Sequence, residues 1–556
     1  MKQAFSGKFG YAAASLVLFF LHLPLLAVVR GEFTDGVLQS AYFDAPLYVR
    51  GEGIPPAKYV PPLYPWVVAS FSELGIDRLA AGRLVSTASY AICAFFIALI
   101  AAKIGPRLVG REGRWAVTEG NASPASGYFG WLAWFFWAFS PMANRWSFHC
   151  MSDMLFCCLA TISLVCFLSF NLEPEGRPVR AWGFGNLIAV AALWTRFQGA
   201  ALVPVSVLSL LLSRFRREKV PATTMSAEAG NRRAGFPGAG RIVWSTGAVL
   251  VWSGSFLFLK WGGSVHGSQF AERAVFPWTV YSNFALAGFR YLPYAVTPPL
   301  LLLAAIGVYL GLRAGGRAFV WTFAGLAGAL AGLVVHTFFL SFQFRYGLPL
   351  LPWICVLGAV GTAWIPPRYR TPAVAVTLIW LIGMSTAVVS QQHETFADIE
   401  TVCRRIPEII EPGNRVWGFE EYNWKPDGSI RYGNIKFSVW SGRRVDWLGE
   451  SNLEEPLPGD LVIESNVYPS RPPGRTQRLR KRTDLAVVAE ATSETVPLFP
   501  GEILWVSYPT PSGPRMIRGT SDPQLMRFRF RRQFYSTVLY RVRGRGSLNR
   551  RGDGGG

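Results

Sequence analysis

Long apolar runs broken by short polar turns fill the chain from residue 11 to about 390, and a more polar stretch follows. The first run, Tyr11 to Val29, comes after Lys2 and Lys8 and ends in Val28-Val29-Arg30-Gly31-Glu32, with no small-x-small cleavage pattern. At ~1.5 Å per residue it is long enough to cross a ~30 Å hydrocarbon core. The pattern therefore predicts a retained transmembrane helix. Ten more runs follow at 82–102, 127–141, 151–170, 182–195, 197–213, 242–260, 296–312, 318–340, 347–365 and 372–390. Together they predict an α-helical polytopic membrane protein of about eleven transmembrane helices, several of them short.

The turns set the orientation. Lys103, Arg107, Arg111 and Arg114 follow the second run, Arg177 and Arg180 the fourth, and Arg214 to Arg241 the sixth. Arg313, Arg317, Arg368 and Arg370 mark two later turns. All fall on one side if the N-terminus is cytoplasmic, as the positive-inside rule asks. The same rule divides 182–213 into a helical pair, because both flanks are basic. Its outer turn is Thr195-Arg196-Phe197-Gln198-Gly199. An odd number of crossings then puts the C-terminal part outside, in a periplasmic or equivalent compartment of a plasma (inner) membrane.

That part, 391–545, changes character. Short β-rich runs (415–419, 460–464, 503–507) alternate with Pro/Gly turns and a helical stretch near 395–410. They predict a soluble α/β domain large enough to bury a core of its own. Residues 546–556 read as a disordered tail, and 214–241 as a mobile inner linker. Residues 1–390 form the transmembrane domain.

Composition agrees with this division. Of 556 residues 51% are hydrophobic and 16% charged, against about a quarter charged in soluble domains, and mean hydropathy is +0.26. With 40 Phe, 21 Trp and 19 Tyr, disorder throughout the chain is excluded. The net charge of +21 raises nucleic acid as a partner, yet much of that charge sits between apolar runs, and we expect no nucleic-acid partner. The seven cysteines lack metal-ligand spacing with histidine and read as small buried hydrophobes.

Candidate chemistry concentrates in the first outer loop. It opens with Glu32-Phe33-Thr34-Asp35-Gly36 directly after a transmembrane helix. Thr34 suits an N-cap, and Val37, Leu38, Ala41, Tyr42 and Leu47 give an amphipathic face. A second stretch, Pro62-Leu63-Tyr64-Pro65-Trp66-Val67-Val68, suits the membrane interface. Two such interfacial helices would wall a cavity with Asp35 at its mouth, where partial desolvation makes a carboxylate a better proton acceptor. Asp35 equally fits a helix-start carboxylate opposing the helix dipole. Arg196 and Arg345 fall at outer turns, where guanidinium suits phosphate and also suits snorkelling. Arg145 reads as more exposed. Asp153 begins a helix at the same outer face, placed for an arginine or for substrate. His149, His266 and His336 have no ligand-like neighbours. Gly325, Gly328 and Gly332 suit close helix packing.

Several motifs recur in a fixed order: the acidic loop, Lys58-Tyr59-Val60-Pro61-Pro62-Leu63-Tyr64-Pro65-Trp66, Ala81-Gly82-Arg83-Leu84, Ser140-Pro141 with Met151-Ser152-Asp153, Trp194-Thr195-Arg196-Phe197-Gln198-Gly199, and Phe344-Arg345-Tyr346-Gly347-Leu348-Pro349. This set resembles the lipid-linked-sugar glycosyltransferases of the GT-C class, in particular the protein O-mannosyltransferase and aminoarabinose transferase branch, over about residues 10–390. The resemblance implies a catalytic Asp35 acting near the acceptor as base or metal ligand. It also implies substrate contacts from Glu32, Lys58, Tyr59, Asp153, Arg196, Arg345 and Tyr346. Family members often carry two adjacent acids. Here Gly36 follows Asp35, which weakens the case for a tightly held divalent metal, so no cofactor is assigned and a metal at Asp35 stays open. Where the aminoarabinose branch has Lys before Pro-Pro, this chain has Val60, with Lys58 two residues away.

The expected activity is inverting transfer of a sugar from a polyprenyl-phosphate donor to a lipid, glycan or protein acceptor, with membrane lipid as surroundings. A multi-span transporter or flippase of a lipid-linked or anionic substrate is the alternative. It calls for ionisable groups near mid-membrane and for repeat symmetry, whereas the charges here gather at one face. A non-catalytic scaffold using the C-terminal domain is a third class.

Overall fold

The computed structural model describes residues 2–29, 32, 61–109, 124–172, 178–215, 247–255, 296–314, 320, 322–327, 344–391, 397–418, 435–448, 455–465, 484–495, 506–510, 513–516 and 533–543. They fall in two compact units. The first comprises Met1–Pro24, Pro56–Val67 and Arg83–Thr386, and the second Leu25–Pro55, Val68–Gly82 and Ala387–Gly556.

A chain crossing hydrocarbon must satisfy its backbone within the segment, which favours helices over the apolar runs. They form α1 (Lys2–Leu26), α2 (Leu63–Glu73), α3 (Arg78–Val109), α4 (Pro124–Ala138), α5 (Pro141–Ser147), α6 (Ser152–Leu172), α7 (Pro178–Thr195), α8 (Leu202–Phe215), α9 (Pro298–Ala314), α10 (Leu351–Gly361) and α11 (Pro367–Gln391). Among the described residues five segments are long and apolar enough to cross a membrane: Gly7–Leu26, Arg78–Val109, Ser152–Asn171, Gly347–Trp364 and Pro367–Ser390. Gln198–Leu211 and Pro298–Ala314 are shorter apolar helices. Helix also covers 247–255 and 322–327, inside the expected runs 242–260 and 318–340. The helix expected over 127–141 stops at Ala138. Ser140 is extended (φ −70°, ψ 124°) ahead of Pro141, and a separate short helix begins there. Of the two stretches expected as interfacial helices, the second is helical, as α2; the stretch 37–47 lies outside the described residues, as does the tail 546–556.

Exposed apolar side chains mark the lipid-facing surface. Phe9, Leu16, Val17, Phe20 and Leu21 line α1, and Val376, Ile379, Trp380 and Ile382 line α11. This is the surface of a multi-pass membrane protein.

Side-chain hydrogen bonds fix helix directions in the first unit. Along α1, Tyr11 donates to Gly127 O (3.1 Å), Ser15 accepts from Trp134 Nε1 (3.0 Å), and His22 Nε2 meets Asn144 Oδ1 (3.2 Å). So α1 runs alongside α4 and α5 in the same direction. Likewise α3 and α6 share a direction: Ser86 donates to Met151 O, Cys93 to Thr161 Oγ1, and Lys103 Nζ to Ser169 Oγ. α7 returns antiparallel to α6, with Ser163 bonded to Gly185 O. The start of α6 and the end of α7 therefore meet at one end of the bundle. Lys103 sits at the other end, as does Arg370, whose guanidinium caps the carbonyls of Thr362, Ala363 and Ile365.

Glycines let α9 and α10 touch. A Cβ on Gly307 would overlap Leu357 O, and one on Gly361 would overlap Leu303 O. Gly325 makes room for the Trp353 ring; Gly328 and Gly332 lie outside the described residues.

In the second unit, α12 (Ala397–Cys403), α13 (Ile406–Ile409) and α14 (Ile435–Ser441) accompany a five-stranded mixed sheet. Its strands are β1 (Val416–Gly418), β2 (Val445–Trp447), β3 (Leu461–Ser465), β4 (Leu485–Thr495) and β7 (Gln533–Val542), in the order β2-β1-β3-β7-β4. β1 pairs in parallel with β2 and β3, and β7 lies antiparallel between β3 and β4. A hairpin pairs β5 (Val506–Thr510) with β6 (Gly513–Met516). Trp417, Leu448, Val462 and Val542 form a core cluster. The buried carboxylate of Asp398 on α12 accepts from Ser493 on β4 and Thr537 on β7, both at 2.6 Å.

Candidate active site

Asp153 lies in the first turn of α6, its side chain 3% exposed. A carboxylate there faces the positive end of the helix dipole. Arg196, in the turn that ends α7, brings Nη1 to 2.5 Å from Asp153 Oδ2. Its Nε donates to Gln198 Oε1 (3.2 Å), and Nη1 also reaches Ser152 Oγ (3.4 Å). The 3-10 turn Phe344–Leu350 ahead of α10 delivers Arg345, buried at 4% exposure, with Nε 4.0 Å from the same Asp153 oxygen. Arg345 Nη1 points at Met151 Sδ (2.9 Å), and its guanidinium carbon lies 5.9 Å from the centre of the Trp146 ring. One carboxylate thus faces two guanidiniums in a desolvated setting, where a further anion is electrostatically favoured.

The segment between α4 and α6 frames this cluster. Asn144 holds it through its side-chain amide, donating to Ala138 O, Ser140 O (both 2.9 Å) and Ser385 Oγ (3.3 Å). His22 from α1 approaches its oxygen and stacks on Phe148 (centroids 5.1 Å, 12°). Tyr90 donates to Ala138 O, Thr87 to Ser147 O and Ser86 to Met151 O. Side chains of α1, α3 and α11 thereby satisfy or clasp a stretch that has little regular structure of its own. The start of α2 joins in, as fully buried Tyr64 donates to Cys150 Sγ (3.5 Å).

Three of the expected substrate residues, Asp153, Arg196 and Arg345, come together. Tyr346 shares the 3-10 turn with Arg345. Glu32 is buried at 4% exposure and belongs to the second unit. Asp35, Lys58 and Tyr59 lie outside the described residues, as do His266 and His336. The expectation of an exposed Arg145 is corrected: it is 4% exposed within α5, because the helix it sits on is enclosed by neighbouring helices. His149 is fully buried. Among the described residues no three His, Cys, Asp or Glu side chains converge as metal ligands. Sequence reasoning did not single out Asn144, His22 or Trp146. An amide three residues past the proline of a Ser-Pro break between apolar runs was the available signal for Asn144.

No family model matches the sequence, and no curated protein sequence is significantly similar to it. Solved structures are similar in fold. ArnT, the aminoarabinose transferase from Cupriavidus metallidurans, bound to undecaprenyl phosphate, superposes with a TM-score of 0.52 at 14% identity, covering 86% of this chain and 95% of that one. Its apo state gives 0.52 and 14%, covering 88% and 96%. The apo oligosaccharyltransferase of Archaeoglobus fulgidus gives 0.45 and 11%, covering 83% and 69%. Over 86% of its length this chain is similar in fold to ArnT: its fold is that of the GT-C membrane glycosyltransferases.

Proposed function

We propose that the protein is a membrane glycosyltransferase that moves a sugar from a polyprenyl-phosphate donor to a hydroxyl-bearing acceptor at the outer face of the membrane. The observation that carries this reading is the group of buried Asp153 and Arg345 with partly buried Arg196, one carboxylate against two guanidiniums at one end of the bundle. Binding of undecaprenyl phosphate by ArnT, which shares the fold, supports the choice of donor. In the reaction, the acceptor oxygen attacks the anomeric carbon and its proton passes to Asp35. The bond from that carbon to the phosphate oxygen breaks, and the sugar's configuration inverts. The departing polyprenyl phosphate changes from a diester to a monoester and gains negative charge. Arg345 and Arg196 meet that charge as it develops, which lowers the barrier more than equal binding of substrate would. Asp153 holds both guanidiniums in place.

In this reading the chain has about eleven crossings, a cytoplasmic N-terminus and an outer C-terminal domain, residues 391–545. Lys103 and Arg370, opposite the Asp153 end, support that orientation. Glu32, Lys58, Tyr59 and Tyr346 complete the donor and acceptor contacts. Any divalent metal would be held at Asp35.

The test supplies purified protein with polyprenyl-phosphate sugars and follows released polyprenyl phosphate. Asp35→Asn should slow release by about 10²–10⁴-fold, the usual contribution of a positioned base. Parent-level activity in that variant removes Asp35 from the mechanism, and no release by the parent from any such donor overturns the reading.

A further inference from the structure

Beside the charged cluster stands an aromatic pair that the proposed chemistry leaves unused. Trp66, in α2, and Trp194, at the end of α7, meet edge to face with centroids 5.7 Å apart at 63°. Trp194 comes two residues before Arg196, whose guanidinium binds Asp153. Tyr64, two residues before Trp66, is bonded to Cys150, next to the Met151 that Arg345 touches. So the two indoles come from separate segments, each pinned to one side of the charged cluster. A tryptophan that only anchored a helix at the membrane surface would need neither link. Trp66 is 41% exposed, so the pair keeps accessible aromatic surface. Past the 3-10 turn Phe197–Ala201, α8 carries exposed Val207 and Leu211 on one face, leading away from Arg196 along an apolar helix.

We infer that Trp66 and Trp194 seat the first isoprene units of the carrier lipid, immediately beside the phosphate. The inference rests on the donor reading above. A polyprenyl phosphate has two chemically distinct parts that must be satisfied within a few ångströms: an anionic ester and a branched, unsaturated hydrocarbon. The guanidiniums of Arg196 and Arg345 suit the first. Flat indole faces suit the second, offering large rigid apolar area at the water–hydrocarbon boundary. The adjoining cations select a lipid with an anionic head over a neutral one.

The experiment measures binding to the purified full-length protein in detergent micelles with four probes: undecaprenyl phosphate, inorganic phosphate, and two short phosphates of equal carbon count, one with two isoprene units and one saturated and unbranched. Trp66→Ala should weaken undecaprenyl phosphate about tenfold and leave inorganic phosphate unchanged. Trp66→Phe should stay within about threefold of the parent. The parent itself, with no variant involved, should prefer the isoprenoid phosphate over the saturated one by about threefold or more. Parent-like binding of undecaprenyl phosphate by Trp66→Ala, or equal weakening of both phosphates, overturns the inference, as does equal affinity of the parent for the two short phosphates. If Arg345→Ala abolishes binding while Trp66→Ala does not, the donor reading survives and only the aromatic seat falls. If the parent binds no undecaprenyl phosphate, both fall.

Discussion

Asp153 lies within 4.0 Å of both Arg196 and Arg345, so its removal takes a buried carboxylate from beside two enclosed guanidiniums. Breaking a buried pair in this way costs about 3–5 kcal/mol. We expect Asp153→Ala to lower the thermal unfolding temperature in detergent markedly, and saturating polyprenyl phosphate to restore part of the loss, since a ligand that binds only the folded state stabilises it. Arg345→Lys keeps the charge but loses the planar fork that grips two phosphate oxygens. The expected result is a fall of about 10²-fold in turnover with an unchanged unfolding temperature, read from steady-state kinetics alongside a melting curve. At this scale the sequence was informative wherever a charge interrupted hydrocarbon. Asp153, Arg196 and Arg345 each stand at the edge of an apolar run, and a charge at that place demands a partner. Arg145 was misread because Asn144, Arg145, Ser147 and His149 look like a wetted turn. Its burial comes from distant helices, which local spacing does not encode.

At the scale of elements, the stretch from Phe139 to Met151 depends on side chains from elsewhere. The Asn144 amide donates to the carbonyls of Ala138 and Ser140, the first shared with the Tyr90 hydroxyl. Asn144→Ala should cost about 1–3 kcal/mol for the buried side-chain hydrogen bonds it removes, and should raise the KM for donor because Arg145 and Trp146 follow it. A melting curve and donor titration on the same preparation check both. The contact between α9 and α10 gives another expectation: Gly361→Ala drives a methyl into Leu303 O, and such overpacking costs about 1–3 kcal/mol. Helices α1, α3, α6, α10 and α11 were legible from run length alone. The break at Ser140-Pro141 was visible too, as a proline motif, yet the run was still read through it to residue 141. An apolar run in a membrane protein reports depth in hydrocarbon. It says little about where a helix ends once the chain is enclosed by protein.

At the scale of the whole molecule, orientation was inferred from Arg and Lys in turns. Within the first unit Lys103 and Arg370 lie at the end opposite the Asp153 cluster. A reporter active only outside the cytoplasm, fused after Gly556, should therefore be active, and the same reporter inserted in 214–241 should be silent; the reverse pattern would invert the orientation. Glu32, Asp35, Lys58 and Tyr59 were named from the resemblance, since no periodic run fixes their register. The clasp around Asn144 also bears on how such a protein could be re-engineered. Its partners sit at positions 22, 90 and 385, scattered across the chain. Grafting 139–151 from another scaffold would carry the loop without its fastenings, so those three positions would have to travel with it.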